Sequence, residues 1–491
     1  MPSTVEKIVE DALVVFRSDV MERVRRLGEM RTPAACAAVE LSVASSAREA
    51  GDRVFGAMLA AAVEDVAFQA ETTLAAREAL NVRGEEIREV TVALLGGSSV
   101  RLRAPYLRPG RHKVDKDGRT RPENGLYPVL SALGIAFFTT PATADEVCHE
   151  LTAADSVRAA RESLARRRLD FGHKQTLRIF NAFGSRAVTQ REQALELGSA
   201  SPTSSALAGM RVVVATDGGR IRERVEKKGR RRKNGHHGYH APWREPRQLV
   251  IYCIDQDGKL SDAFVPVLDA SMKTADEFMQ MVQAYLRTLG VAQAREVIFA
   301  ADGAKWIWDR VDDMVAALGI PPKRVFQVID QCHAIQTLYE IADLRRWGQR
   351  EKNCWIGKAV RALRKGLIGV VERLIQSLAV GRSAGKVLSH MDYFTRNTER
   401  MQYRKFKTRS IPSGSGAVES AVRRVINMRM KNNGTFWDEA NAESMLMLRS
   451  YLKAGRWQNL VDWTIAQAAD WWTHVTPCLP HVHDSTAQSA T

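Results

Sequence analysis

Asp217 and Asp302 each close an apolar run and each precede a glycine, in RVVVATDGG and EVIFAADG. A short, apolar, β-branched run reads as a buried strand, and open α/β sheets place their ligands at the carboxyl ends of such strands. Hard divalent cations such as Mg²⁺ take carboxylate oxygens and keep several waters, so two or three carboxylates on adjacent strand ends suffice to hold them. Two ions about 4 Å apart clamp the attacking and leaving oxygens of a phosphoryl transfer. A lone aspartate at a strand end is commonly a turn former or helix cap; a pair on the first and fourth strands points instead to metal chemistry. Glu419 is the expected third carboxylate. It lies in SIPSGSGAVESAVRRVINMRM, where a Ser/Gly-rich turn leads into a helix starting near Ala417. The plain alternative is a glutamate favoured by the helix dipole, and Glu443 in the next helix is the fallback. Spacing alone supports a metal-dependent phosphodiesterase.

The elements that must carry these residues are legible from periodicity. RVVVATDGG, REPRQLVIYCIDQ, LSDAFVPVLDA, EVIFAADG and KRVFQVID read as strands. TADEFMQMVQAYLRTLG, with Thr274 as cap and Gly290 as stop, and KWIWDRVDDMVAALG read as helices. The order β-β-β-α-β-α-β is that of an RNase H-like sheet. Expected upstream are two or three amphipathic helices over 1–92 and a β-hairpin with a basic loop over 93–139. Three short helices over 140–194 would be helix-turn-helix-like, with Thr143 capping the first, or a plain bundle. The Ser/Ala/Gly-rich stretch 195–209 reads as a linker. The core then occupies 210–333, a helical insertion 334–410, the rest of the core with its C-terminal helices 411–475 and a disordered tail 476–491. The expected fold class is multidomain α+β, with an RNase H-like core of five mixed strands interrupted by the helices. The aromatic helix WQNLVDWTIAQAADWW is expected to dock on that core.

TDGGR, AADGAKWIW, VIDQCHAIQTLYEIA, GSGAVESA and NAESMLMLRSYLKAGRW resemble DDE transposases of bacterial insertion sequences, in particular the Kra-type elements related to the Mutator-like superfamily. The resemblance covers about residues 210–460 well and the N-terminal part loosely. It implies that Asp217, Asp302 and Glu419 form a catalytic triad holding two Mg²⁺ or Mn²⁺ ions. It also implies metal-dependent cleavage at element ends, followed by transfer of the 3′-hydroxyl into target DNA. The partners it implies are double-stranded terminal repeats, target DNA and further copies of the chain. The long interval between Asp302 and Glu419 agrees with the helical insertion such transposases carry. Asp330 and His333 match the family's C/D-x-x-H signature, which implies a place beside the active site; a structural His–Asp pair is the alternative, and a zinc site from Cys332, His333 and Cys354 a minor one. The family's cysteine-containing segment after the hairpin has no counterpart here. Competing functions are a nuclease or resolvase that cuts without joining, and a domesticated DNA-binding protein without catalysis.

Charge points the same way. The 491 residues carry 72 Lys and Arg against 56 Asp and Glu, a net +16, which suits a polyanionic partner. Between 220 and 247 stand eleven Lys/Arg and three Glu. A charge run is usually a solvated face, but beside Asp217 it can grip phosphates through Arg230, Arg231, Arg232 and Lys233. His236, His237 and His240 read as DNA-facing, with Tyr239 and Trp243 available to stack on an unpaired base. Arg423 and Arg424, beyond Glu419, are further nucleic-acid contacts, whereas Trp306 and Trp308 read as core. Six cysteines without a CxxC pair argue against a disulfide scaffold. Lacking a signal-peptide pattern or an 18-residue apolar run, the chain is expected in the cytoplasm, at the nucleoid.

Overall fold

The computed structural model describes residues 4–25, 28, 30–111, 114–121, 124–200, 204–227, 229 and 237–466. Caps punctuate the alanine-rich N-terminal run into α1 (Thr4–Arg25), α2 (Pro33–Glu64) and α3 (Val66–Ala79). Thr32 Oγ1 accepts from the Ala35 amide, and Asp65 Oδ1 from the Phe68 amide, satisfying donors that a helix start leaves open. An antiparallel hairpin follows, β1 (Val82–Ala93) and β2 (Ser99–Pro109), paired from Val82↔Pro109 to Ala93↔Ser99. It therefore begins well before residue 93, inside the stretch 1–92 expected to be helical, and before Glu89, where alternation starts. The early part, VRGEEIRE, is exposed on both faces at most positions, so the backbone ladder holds it and hydropathy carries no trace of it.

Next come α4 (Pro128–Ala132), α5 (Pro141–Ala153), α6 (Val157–Arg166) and α7 (His173–Ala200). α5 starts at Pro141, ahead of the expected cap, and the Thr143 hydroxyl instead meets that of Thr140 at 2.7 Å. α7 spans 28 residues, so the third member is not a short helix and the first part of the supposed linker is helical. Leu195 and Leu207, on either side of it, are buried in the core of the sheet domain. The chain divides into two compact units inside α7: residues 1–187 with those from Trp457 onward, and Val188–Arg456.

The second unit is built on β3 (Arg211–Gly218), whose Val212, Val213 and Val214 are at most 2% exposed. A narrow hairpin stem follows, of β4 (Ile221–Arg222), β5 (Val225–Glu226), β6 (Tyr239–His240) and β7 (Trp243–Arg244); β4 pairs with β7 and β5 with β6. Then come β8 (Arg247–Ile254), β9 (Val267–Ser271), α8 (Ala275–Thr288), β10 (Glu296–Ala301), α9 (Lys305–Ala317) and β11 (Val325–Ile329). Thr274 and Glu277 form the capping box of α8, and Gly290 beyond it has a φ of 75°, as its sequence signals require. The five-stranded mixed sheet runs β11-β10-β3-β8-β9. β3 is parallel to β10 and β10 to β11, while β8 is antiparallel to both β3 and β9.

Between 331 and 408 every regular element is helical: α10 (Gln331–Asp343), α11 (Gln349–Arg364), α12 (Ile368–Gln376), α13 (Ala384–Arg396) and α14 (Tyr403–Thr408), apart from short 3₁₀ turns. Their Trp355, Leu363, Val371 and Phe394 continue the apolar core of the sheet. The chain then forms α15 (Gly416–Ala421), a π-helical stretch (Val422–Asn427), α16 (Met428–Met430) and α17 (Glu439–Lys453). The last described helix, α18 (Trp457–Ala466), belongs with the first unit rather than the sheet domain. There Trp457 stacks on Phe183 at 6.3 Å and donates to Asp145 Oδ1 at 2.8 Å, a pairing for an indole that hydropathy does not reveal. The expected tail over 476–491 lies outside the described residues. No helix among the described residues is long and apolar enough to cross a membrane.

One buried ionic cluster ties α7 and α17 to the sheet edge. Arg191, 1% exposed, pairs with the fully buried Asp269 at 3.2 Å and with Glu443. Tyr285 also donates to Asp269, at 2.7 Å. Removing one partner of a buried pair leaves an uncompensated charge and costs about 3–5 kcal/mol. Asp269→Ala should therefore lower unfolding stability by ~3–5 kcal/mol in urea titration, while an exposed change such as Asp257→Ala leaves it within about 0.5 kcal/mol.

Candidate active site

Register places the two aspartates side by side. Ala300 of β10 pairs with Ala215 of β3, and Asp302 and Asp217 each lie two residues further on, at carboxyl ends of neighbouring parallel strands. Parallel strands run about 4.8 Å apart. Each carboxylate is turned by an amide just beyond it: Asp217 Oδ1 accepts from Gly218 N at 2.7 Å, and Asp302 Oδ1 from Ala304 N at 2.9 Å. The indole of Trp308, 4% exposed, donates to the Asp302 carbonyl at 2.6 Å, so Trp308 belongs to the core and also fixes this strand end.

The glycines after the aspartates make room. A Cβ on Gly219 would lie 2.7 Å from Ile426 Cδ1, and one on Gly303 would lie 2.0 Å from Tyr393 Cε2. The first lets the helical run from Gly416 approach β3; the second admits a ring from α13.

Asp330 joins the strand ends to Glu419. It is 2% exposed and follows β11, with its amide on the Ala301 carbonyl at 2.8 Å. Its Oδ1 accepts from Cys332 N at 2.6 Å and His333 N at 3.1 Å, capping α10. Its Oδ2 accepts from Ser415 Oγ at 2.7 Å and from the Ser415 amide. Ser415 Oγ also lies 3.2 Å from Glu419 Oε1, and Gln331 N donates to the Ser413 carbonyl at 2.9 Å. The Ser/Gly-rich turn is thereby pinned to the sheet, and Glu419 stands in the first turn of α15, its side chain 46% exposed. His333 Nδ1 lies 3.5 Å from Asp330 Oδ1 and 3.9 Å from Glu419 Oε1.

The electrostatics are those of crowded carboxylates. Burial raises the Asp217 carboxyl from 3.8 to about 6; the charges of Asp302 and Glu419 add to the rise, while the Gly218 amide and His333 oppose it. The Asp330 bond holds the His333 imidazole up at about 9, against burial and with help from Asp302 and Glu419. Burial opposes ionisation of Asp330, but the bonds from His333 and Ser415 outweigh it and keep its carboxyl far below the usual range. Asp330, His333 and Glu419 could together hold a metal ion; Cys332 and Cys354 are exposed free thiols, and neither belongs to that group. Oxygen donors that repel one another when ionised fit a hard divalent cation.

Glu443, the fallback ligand, is committed elsewhere: Oε1 accepts from Ser271 Oγ at 2.7 Å and Oε2 from Met272 N at 2.6 Å, beside Arg191. It sits at the end of β9, two strands from β3. Arg423 and Arg424 lie exposed in the π-helical stretch beyond Glu419. His237 and His240 are on the hairpin stem, half-buried and exposed; Arg230, Arg231, Arg232, Lys233 and His236 lie outside the described residues. Sequence reasoning missed Ser415, Trp308 and Tyr393 as parts of the site, because their roles rest on contacts across long intervals. Comparison with family models, curated proteins and solved structures finds no match to the chain.

A carboxyl whose pKa is raised on folding costs stability once it ionises. Metal-free protein should lose stability as pH rises from about 4 to about 6, the window between the unfolded and folded values of Asp217. Asp217→Asn should make that slope shallower by the Asp217 share, raise the metal-free melting temperature at pH 7.5 and abolish the further rise on adding Mg²⁺. Thermal melts across pH, with and without metal, read all three.

Proposed function

We propose that the chain is a DDE transposase that cuts DNA at the ends of its element and joins the exposed 3′-hydroxyl to target DNA. The observation that carries this reading is that the charges of Asp302 and Glu419 both act on Asp217, with Asp217 and Asp302 at adjacent parallel strand ends and Glu419 on a helix whose start is tied to Asp330 through Ser415. The strand order supports an RNase H-like core, and the all-helical run between β11 and α15 agrees with an insertion there. The similarity of TDGGR, VIDQCHAIQTLYEIA and GSGAVESA to Kra-type transposases supports the same assignment.

In this reading Asp217, Asp302 and Glu419 would together hold two Mg²⁺ or Mn²⁺ ions. Bound metal supplies the charge that activates water or a 3′-hydroxyl and stabilises the leaving oxygen. The chain supplies position. The Gly218 and Ala304 amides hold the aspartates in one orientation, and the Asp330–Ser415 tie sets the distance to Glu419. His333 brings a positive charge beside Glu419. Such preorganisation accounts for catalysis without a covalent nucleophile. Duplex terminal repeats, target DNA and further copies of the chain are the partners, at the bacterial nucleoid.

The test is cleavage and joining of labelled DNA bearing the element's ends. Asp217→Asn, Asp302→Asn and Glu419→Gln should each lower both steps by at least about a hundredfold, with DNA binding retained. Glu443→Gln should lose stability while its folded fraction still cuts. Products cut but never joined would make the chain a nuclease; folded, metal-binding protein without cutting would make it a DNA-binding protein.

The tie to Ser415 has its own readout. Ser415→Ala removes hydrogen bonds to Asp330 and Glu419 and leaves a buried acceptor short of one donor, at about 1–3 kcal/mol. Its single-turnover cleavage rate should fall while the melting temperature in Mg²⁺ drops by a few degrees. An unchanged rate would show that Glu419 is positioned without it.

A further inference from the structure

The hairpin stem beside Asp217 carries an ordered row of charge and aromatic rings. Arg220, Arg222 and Arg224 are exposed, whereas Ile221 and Glu223 between them are buried, so the arginines share one face at strand period. Arg222 lies 5.0 Å over the Trp243 ring and 6.0 Å from Phe436; Phe436 is 5.4 Å from Tyr239, and Arg224 lies 4.9 Å over Tyr239. Cation–π contacts occur roughly once per 70–80 residues, so this clustering on one short stem is a built feature. The rings remain open, Trp243 at 51% and Tyr239 at 38% exposure, and the row ends at Glu226, which is exposed at the far end.

The stem is held on both edges. Ile221↔Arg244 and Val225↔His240 pair across the hairpin. On the other side Trp437 N donates to the Arg222 carbonyl at 2.9 Å and Arg224 N to the Trp437 carbonyl at 2.7 Å. Trp437 in turn donates through its indole to the Met430 carbonyl at 3.1 Å, at the end of the helical run that carries Glu419. Beneath, Arg244 pairs with Glu223 at 3.3 Å. The face is thus preformed, and Arg220 stands three residues from Asp217.

We propose that this face binds an unpaired strand of DNA as it leaves the reaction centre, bases stacking on Trp243 and Tyr239 and phosphates meeting Arg220, Arg222 and Arg224. A duplex buries its base faces in its own stack and presents phosphates alone, which leaves two open rings without work. An unpaired strand offers both a π-face and a charge at each nucleotide, and guanidinium planes extend the same stack. The inference rests on DNA being the substrate and specifies which form of it this surface takes.

The test measures binding of fluorescein-labelled single-stranded DNA and of the matching duplex to the full chain in EDTA, by anisotropy. Trp243→Ala should weaken single-strand binding about tenfold or more, within the effect of one lost stacking platform, and change duplex binding less than about twofold; Trp243→Phe should restore most of it. Arg222→Ala should weaken the single strand and steepen no duplex loss beyond that of one phosphate contact. Unchanged single-strand affinity in Trp243→Ala, equal losses on both DNAs, or tighter binding of the same sequence as RNA would each overturn the proposal. Because no metal is present, a chain that binds strands but fails to cut would count against the transposase reading and not against this face.

Discussion

Asp330 is the single group on which the arrangement of the site depends. One buried carboxylate accepts hydrogen bonds from two segments more than eighty positions apart, the start of α10 and the turn at Ser415. It stands beside the end of β10, through its amide on Ala301. A run of helices separates β11 from α15 along the chain, and this carboxylate closes the gap in space. A buried acceptor with all its donors in place is rigid, and losing one is costly. The position of Glu419 relative to Asp217 and Asp302 is therefore a consequence of a group that need not itself touch a reacting atom.

Around that anchor, the strand ends combine order with electrostatic tension. Asp217 is half-buried and its carboxyl is pushed up to about 6, chiefly by burial and then by two other carboxylates. A sequence selected for stability alone would not set three acids together at the exposed edge of an otherwise apolar sheet. Strained or repulsive groups that persist are characteristic of working sites, whose cost the rest of the fold must offset. Here the offset includes the core that runs without a break from the sheet into helices α10 to α14, and the Arg191–Asp269–Glu443 cluster at the opposite edge strand.

Much of this is legible in the sequence itself. All five strands of the sheet domain, the caps of α8 and the aspartates at strand ends follow from apolar runs and turn residues; in β3, β8, β9 and β10 burial on both faces leaves a continuous hydrophobic signature. Glu419 in a first helical turn followed from the Ser/Gly-rich approach. What was not legible depends on contacts without local pattern. The polar half of β1 is exposed and pairs through its backbone. α7 continues through serines and a glycine because Arg191 and Leu195 are anchored by the other elements. Ser415 and Tyr393 reach the site across long intervals, and Glu443 looked free only because its partners, Ser271 and Arg191, lie on other elements.

The most direct measurement is the anomalous scattering of Mn²⁺ in crystals of the metal-loaded protein. Ions should be found ligated by Asp217 together with Asp302 and Glu419, with Asp330 still bonded to Ser415 and outside the coordination sphere. Manganese held by Asp330, His333 and Glu419 with Asp217 and Asp302 unliganded, or no manganese at these strand ends, would contradict it.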